Sequence, residues 1–297
     1  MTAFGVSSYR DGHVNPALRR LGFGAKDRVV IIHADDIGMC EATVPAVVEL
    51  LDFGLVSSCS VMVPCPWFPL AAEWSRLHPE TDVGVHITLT SEWANYRWRP
   101  VSTLNPTSGL LDETGFMPRT TKQIQRQGKP EAIFKEACAQ VAIAQRFGIR
   151  PSHLDSHMFA LKGAFLSIYL QLILNLRLPA LLDRKALKSR EQRGTDTLEV
   201  EEQGIPVFDH VGSPPAGGPP EDRIAILKSL FSALPFGLSC VLLHPAHDTP
   251  ELRAITPDWR YRVADWKAFR SNNLKKHLRS IGVQVITYKT LSGSMTV

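Results

Sequence analysis

Four separated stretches of this chain carry side chains suited to proton transfer or metal binding. Asp35 and Asp36 stand side by side at the end of the apolar run Val29-Val30-Ile31-Ile32-His33-Ala34. Two adjoining carboxylates at the end of a buried strand repel and desolvate each other, and a cation or a bound proton relieves that cost. A solvated loop pair with Asp36 capping the next helix is the blander alternative, and so apolar a run tips the balance away from it. His86 lies in Asp82–Thr90, where Val83, Val85, Ile87 and Leu89 alternate with Asp82, Gly84, His86, Thr88 and Thr90. A strand there sets His86 opposite the aliphatic side chains, with Gly84 leaving room beside it. In His153-Leu154-Asp155-Ser156-His157 the period of two places both imidazoles and the carboxylate on one face, and a carboxylate so placed orients a metal-bound imidazole. His244 follows the apolar Leu238–Leu243.

One carboxylate and two imidazoles make a hard-to-borderline site for a divalent ion, with positions left for water and substrate. Such an ion polarises a carbonyl and lowers the pKa of water. A second Asp is then free to accept a proton, and a further His to deliver one to a leaving group. That combination points to hydrolysis of an amide or ester. No Gly-x-Ser-x-Gly elbow, P-loop or Gly-x-Gly-x-x-Gly fingerprint competes with it.

The elements that must position these groups are strands alternating with helices, the pattern of an α/β parallel sheet or barrel. Helices are expected over Glu41–Phe53, Trp67–Leu77, Glu131–Phe147, Ala164–Leu176, Asp222–Ala233 and Asp265–Ile281. Strands are expected from Val29, over Val56–Val63, Asp82–Thr90, Ala180–Leu182, Ile205–Asp209, Leu238–Leu243 and Val283–Tyr288, and at the His153–His157 motif. Asp35/Asp36, His86, His157 and His244 all fall at or near the C-terminal ends of strands, where α/β barrels assemble their active sites. Neighbours on a regular strand point to opposite faces, so for both Asp35 and Asp36 to reach one site the strand is expected to end and bend there, with Ile37-Gly38 as the turn. Residues 91–130 read as a long irregular loop carrying Trp93, Tyr96 and Trp98, whose rings either stack on sugars or pack the loop onto the body.

The chain has 297 residues, 44% hydrophobic and 21% charged, with a net charge of +4 and no long basic run. This fits an ordinary protein with a sizeable core and gives no nucleic-acid footprint. The five scattered cysteines lack a Cys-x-x-Cys pair and read as free thiols of a reducing compartment, so a cytoplasmic location is expected. The N-terminus does not read as a signal peptide, and the most apolar segment, Ala164–Leu182, is too polar to span a membrane. The expected organisation is an N-terminal arm over 1–27 and one barrel domain over 28–297, with insertions at about 91–130 and 184–203.

At these residues the sequence resembles the YdjC-like carbohydrate deacetylases, which include chitooligosaccharide deacetylases. The matching stretches are His33-Ala34-Asp35-Asp36-Ile37-Gly38, Val56-Ser57-Ser58 with Met62-Val63, Gly84–Thr90, Ser152–His157 and His244-Pro245. The resemblance implies an irregular TIM-like (β/α) barrel related to polysaccharide deacetylases. It also implies one divalent metal ion (Mg2+ or Zn2+) and removal of an N-acetyl group from an amino sugar or oligosaccharide, with metal-activated water attacking the amide carbonyl. Carried over residue by residue, the metal ligands are Asp36, His86 and His157, the general base is Asp35 and the general acid His244. His153 and Asp155 are supports behind the ligands. Arg262 and Asp265 fit a late family pattern that orients the catalytic carboxylate, and Arg262 is also a candidate, with Trp93, for contact with the sugar. A homodimer is favoured by the resemblance. Ala246 follows His244-Pro245 where the family usually has Gly, and Met158-Phe159 follow His157 where it often has further histidines. The rival functions are deacylation of a non-sugar amide or ester, and sugar binding without catalysis.

Overall fold

The computed structural model describes residues 14–185, 187, 197–216 and 218–295. Residues 1–13 of the expected N-terminal arm and much of the 184–203 insertion lie outside these.

Among the described residues, seven strands form one parallel sheet: β1 (Arg28–Ile37), β2 (Ser58–Val61), β3 (Val83–Ile87), β4 (Leu154–Ser156), β5 (His210–Gly212), β6 (Gly237–Leu243) and β7 (Val283–Val285). Their order is β4-β3-β2-β1-β6-β5, with β7 on β1. β6 runs along Arg28–Ala34 of β1, so β7, paired with Arg28–Val30, takes the opposite edge, below the point where β2 joins at His33. The sheet curls into a barrel. Its two ends, β4 and β5, are linked through residues 180–183, where Leu154 bridges Ala180 and Asp183 bridges Phe208. The N–H of Leu181 donates to the Leu154 carbonyl, and that of Phe208 to the Leu182 carbonyl. The alternating pattern left a parallel sheet or a barrel open, and the irregular (β/α) barrel implied by the resemblance is the fold.

Strand alternation sorts the side chains. Val30, Ile32, Val83, Val85 and Ile87 face outwards into the main core shared with the surrounding helices. Val29, Ile31, Phe208, Leu238, Cys240, Leu242 and Tyr288 fill the interior with an apolar plug, and Ala17 and Leu18 of the short helix Pro16–Arg20 close it from below. Above and beside that plug, one interior wall is polar. It is made of His33, Ser58, Ser60, His86, His153 and Asp155, all buried.

The structure redraws several elements: the expected Val283–Tyr288 strand stops at Val285, with Tyr288 opening a short helix to Ser292, and the expected Ala180–Leu182 strand is a bridge at Ala180. Residues 91–130 are not wholly irregular: Thr121–Gln127 is a helix whose capping box pairs Thr120 with Gln123. The helix expected over Asp265–Ile281 is two, Trp259–Phe269 and Asn272–Ser280, because Ser271 restarts it by accepting a hydrogen bond from the Asn273 N–H. The expected Ile205–Asp209 strand is a single bridge at Phe208, and the ladder to β6 begins at His210.

Candidate metal centre and active site

The adjacent carboxylates reach one site because β1 bulges between them. Ala34 pairs with Cys59 and Ile37 with Val61, so three steps on β1 match two on β2. The extra residue is accommodated by Asp36, which adopts a left-handed conformation (φ 64). β1 does not end at the dipeptide, as expected from sequence; it runs on to Ile37, and the turn follows at Gly38 (φ 86). The bend is real, but it is a bulge inside the strand. Asp is one of the few side chains that tolerate this conformation, and strain of this kind gathers where a side chain must be re-aimed.

Asp36, His86 and His157 converge. Asp36 Oδ1 lies 3.5 Å from His86 Nε2 and 3.3 Å from His157 Nδ1, and those two nitrogens are 3.2 Å apart. All three residues are buried, and Asp36 Oδ1 has no hydrogen-bond partner among the described residues. Each group is held from behind. Arg262 Nη1 donates to Asp36 Oδ2 at 3.0 Å, Asp155 Oδ2 sits 2.8 Å from His86 Nδ1, and Glu92 flanks His157 Nε2 at 3.0 and 3.1 Å. These contacts leave one atom of each ligand candidate facing the same point.

The point has a strong preference for positive charge. Burial alone would push the His157 imidazole down, yet Glu92 and Asp36 carry it up to about 9. Burial also opposes a charge on His86, and the charge and hydrogen bond of Asp155, with Asp36, pull it well above its ordinary value. Asp36 is driven the other way: burial would raise its carboxyl, but His157, His86 and His244 hold it well below the usual range. A buried orphan oxygen among two imidazoles fits a divalent cation with nitrogen and oxygen ligands.

Asp35 lies beside this trio. Its Oδ1 is 3.1 Å from His33 Nε2, and its Oδ2 is 3.7 Å from Nε2 of His244, whose side chain is 39% exposed at the barrel mouth. The other expected residues divide by depth along β4. Asp155 holds His86, as a support should. His153 touches none of the trio in the described contacts; it sits a layer lower, stacked on Tyr288 at 3.8 Å and held by Ser152 and Asp82. Arg262 is buried, paired with both Asp36 and Asp258. Asp265 pairs with Arg223 instead. Of the three aromatic side chains, Trp98 donates Nε1–H to the Thr90 carbonyl and Tyr96 its hydroxyl to the Met39 carbonyl, so both pack the loop onto the barrel. Trp93 stands 6.0 Å from the Arg262 guanidinium, and its indole N–H has no partner among the described residues.

Sequence reasoning passed over Glu92, His33 and Asp82. Glu92 gives no local signal, since it lies in the loop and meets His157 only through the fold. His33 did carry a signal: it precedes Asp35 by two residues and so shares its strand face.

Asp82 anchors the lower wall. It accepts from the hydroxyls of Ser58 (3.1 Å) and Ser152 (2.6 Å) and from the Lys289 N–H (2.7 Å). Burial would raise its carboxyl, but His153, Ser152 and the Lys289 N–H lower it to about 2. A depressed carboxyl stabilises the fold above its unfolded value of 3.8, and that contribution is lost as pH falls towards 2. The stability advantage of wild type over Asp82→Asn, measured by urea denaturation, is expected to shrink by about 2 kcal/mol between pH 4 and pH 2. A gap that stays constant over this range would show that Asp82 is not ionised through these bonds.

A family model described as YdjC-like protein matches residues 29–280, a span holding every residue of the trio and its supports. The chain belongs to the YdjC-like family. A carbohydrate deacetylase of Thermus thermophilus is 35% identical to this YdjC-like chain over 266 residues, covering 88% of it and 93% of the relative. A carbohydrate deacetylase of Geobacillus stearothermophilus is 28% identical over 88% of this chain and 97% of its own. A crystal structure from Enterococcus faecalis V583 superposes with a TM-score of 0.74 at 23% identity, over 89% of this chain and 99% of that one, and shares the fold. No helix among the described residues is long and apolar enough to cross a membrane.

Proposed function

We propose that this protein is a metal-dependent hydrolase that removes an N-acetyl group from an amino sugar or oligosaccharide. The observation that carries the reading is the convergence of Asp36 Oδ1, His86 Nε2 and His157 Nδ1 beside a second carboxylate, Asp35. Similarity to carbohydrate deacetylases over most of the chain supports the substrate class.

Asp36, His86 and His157 would hold one divalent ion, Mg2+ or Zn2+, which supplies Lewis-acid polarisation of the acetyl carbonyl and makes water a better nucleophile. Asp35 takes the proton from the attacking water. His244, at the open mouth, gives a proton to the departing amine as the C–N bond breaks, so acetate and the free amino sugar leave together. Arg262, Asp155 and Glu92 keep the three ligands aimed, and Trp93 lines the approach near Arg262.

The test is acetate release from a panel of N-acetylated saccharides, before and after chelation and with Mg2+ or Zn2+ restored. Release that stops with chelator and returns with one of the ions is expected. Release from acyl amides or esters but from no acetylated sugar would replace the substrate class, and sugar binding without any acetate release would remove catalysis.

A further inference from the structure

We propose that His33 is held as an imidazolium inside the barrel and acts as a positioning residue, the shared counter-ion of Asp35 and Asp155. The assignment follows from counting protons in its hydrogen bonds. On one side, His33 Nδ1 lies 3.0 Å from the hydroxyl oxygen of Ser58. Ser58 has a single proton and gives it to Asp82 Oδ1, so its oxygen can only accept from the ring. Asp82 is a carboxylate there, since Ser152 and the Lys289 N–H also donate to it. On the other side, Nε2 faces Ser60 Oγ, Asp155 Oδ2 and Asp35 Oδ1, each at 3.1 Å. Ser60 spends its own proton on Asp155 at 2.8 Å, so Nε2 also meets acceptors only. Both ring nitrogens must carry hydrogen.

The remaining neighbours agree with a charge at His33. His153 meets the His33 ring edge-on at 4.9 Å, and Tyr288 does so at 5.7 Å. His153 is the neutral member of this pair: its Nδ1 faces Ser152, its Nε2 has no partner among the described residues, and burial pushes its pKa down. Burial alone would push His33 down too, but the hydrogen bonds and charges of Asp155 and Asp35 bring it up to about 9. The same count removes His33, His153 and Asp155 as a second metal group, although their ligand atoms lie within 4.8 Å of one another. A ring with both nitrogens protonated has no lone pair to give.

What the cation does follows from Asp35. Oδ1 of Asp35 is buried, and the nitrogen that faces it at 3.1 Å is Nε2 of the His33 ring. That contact turns Oδ2 towards His244 and the barrel mouth. The same nitrogen binds Asp155, the group behind His86. One buried charge thus fixes the proposed base and the support of a proposed metal ligand. This role rests on the deacetylase reading, whereas the protonation state does not.

The experiment has two arms. Histidine-selective 15N NMR of the full chain at neutral pH, with His33→Gln used to assign the signal, reads both ring nitrogens directly. Two protonated nitrogens at His33 are expected; a neutral tautomer overturns the proposal. Gln keeps a donor near Nε2 but carries no charge, and Phe keeps neither. For variants whose melting temperature shows them folded, kcat is expected to fall about tenfold or more for His33→Gln and further for His33→Phe, with KM within threefold of wild type. A folded His33→Phe protein with kcat within twofold of wild type overturns the positioning role. If wild type releases acetate from no sugar, the functional reading fails on its own, and the NMR arm still decides the charge.

Discussion

Asp36→Asn is expected to lose divalent-ion binding and hydrolysis together. Asn is close in shape and tolerates the left-handed backbone that Asp36 adopts (φ 64), so the bulge can survive the exchange. What disappears is the negative charge between His86 and His157 and the salt bridge to Arg262. Groups that only orient a ligand are worth roughly 10–100-fold in metal affinity or activity, and loss of a ligand should exceed that range. Ion affinity, followed by competition with a chromophoric chelator, is expected to fall by more than about a hundredfold. Acetate release is expected to fall by about a thousandfold or more, about 4 kcal/mol of barrier. His157→Ala is expected to behave alike. Full activity in an Asp36→Asn protein that no longer binds the ion would sink the proposed mechanism.

The second large effect concerns stability and comes from a residue without a side chain. A Cβ on Gly84 would stand 2.5 Å from Cε1 and 2.6 Å from Cδ2 of His153. That ring has little freedom to retreat, because Tyr288 stacks on it and Ser152 and Asp82 hold its edge. Overpacking of this kind costs about 1–3 kcal/mol, and a fixed ring puts Gly84→Ala at the upper end. The melting temperature is expected to fall by about 5 °C. In a His153→Ala background the obstacle is gone, so the added methyl should cost little, and the double-mutant cycle should show strong coupling. Additive effects in that cycle would mean that the two residues do not meet.

Much of this arrangement is legible in the sequence, for local physical reasons. Alternation in Asp82–Thr90 is enough to place His86 inside the barrel, and the room attributed to Gly84 exists, though His153 is the side chain that fills it. The same period of two aligns His153, Asp155 and His157 on one wall. It cannot state depth, which is why His153 falls a layer below the site it was expected to support. Alternation also misleads at Asp35-Asp36, because a bulge depends on the partner strand's register, and only pairing with Cys59 and Val61 reveals the extra residue. Glu92 is illegible for a related reason: its contact with His157 spans a loop and a strand, with no periodicity to report it. The break at Ser271 was within reach, since a Ser ahead of two Asn is a cap signal that the helical pattern around it obscured.

The left-handed backbone at Asp36 also constrains how this lineage can decay. Most substitutions there would both empty the site and strain β1, so drift would meet two barriers at once. Asn and Gly escape the second barrier. Among descendants that lose the proposed site through position 36 while keeping the barrel, Asn or Gly is therefore the residue expected there.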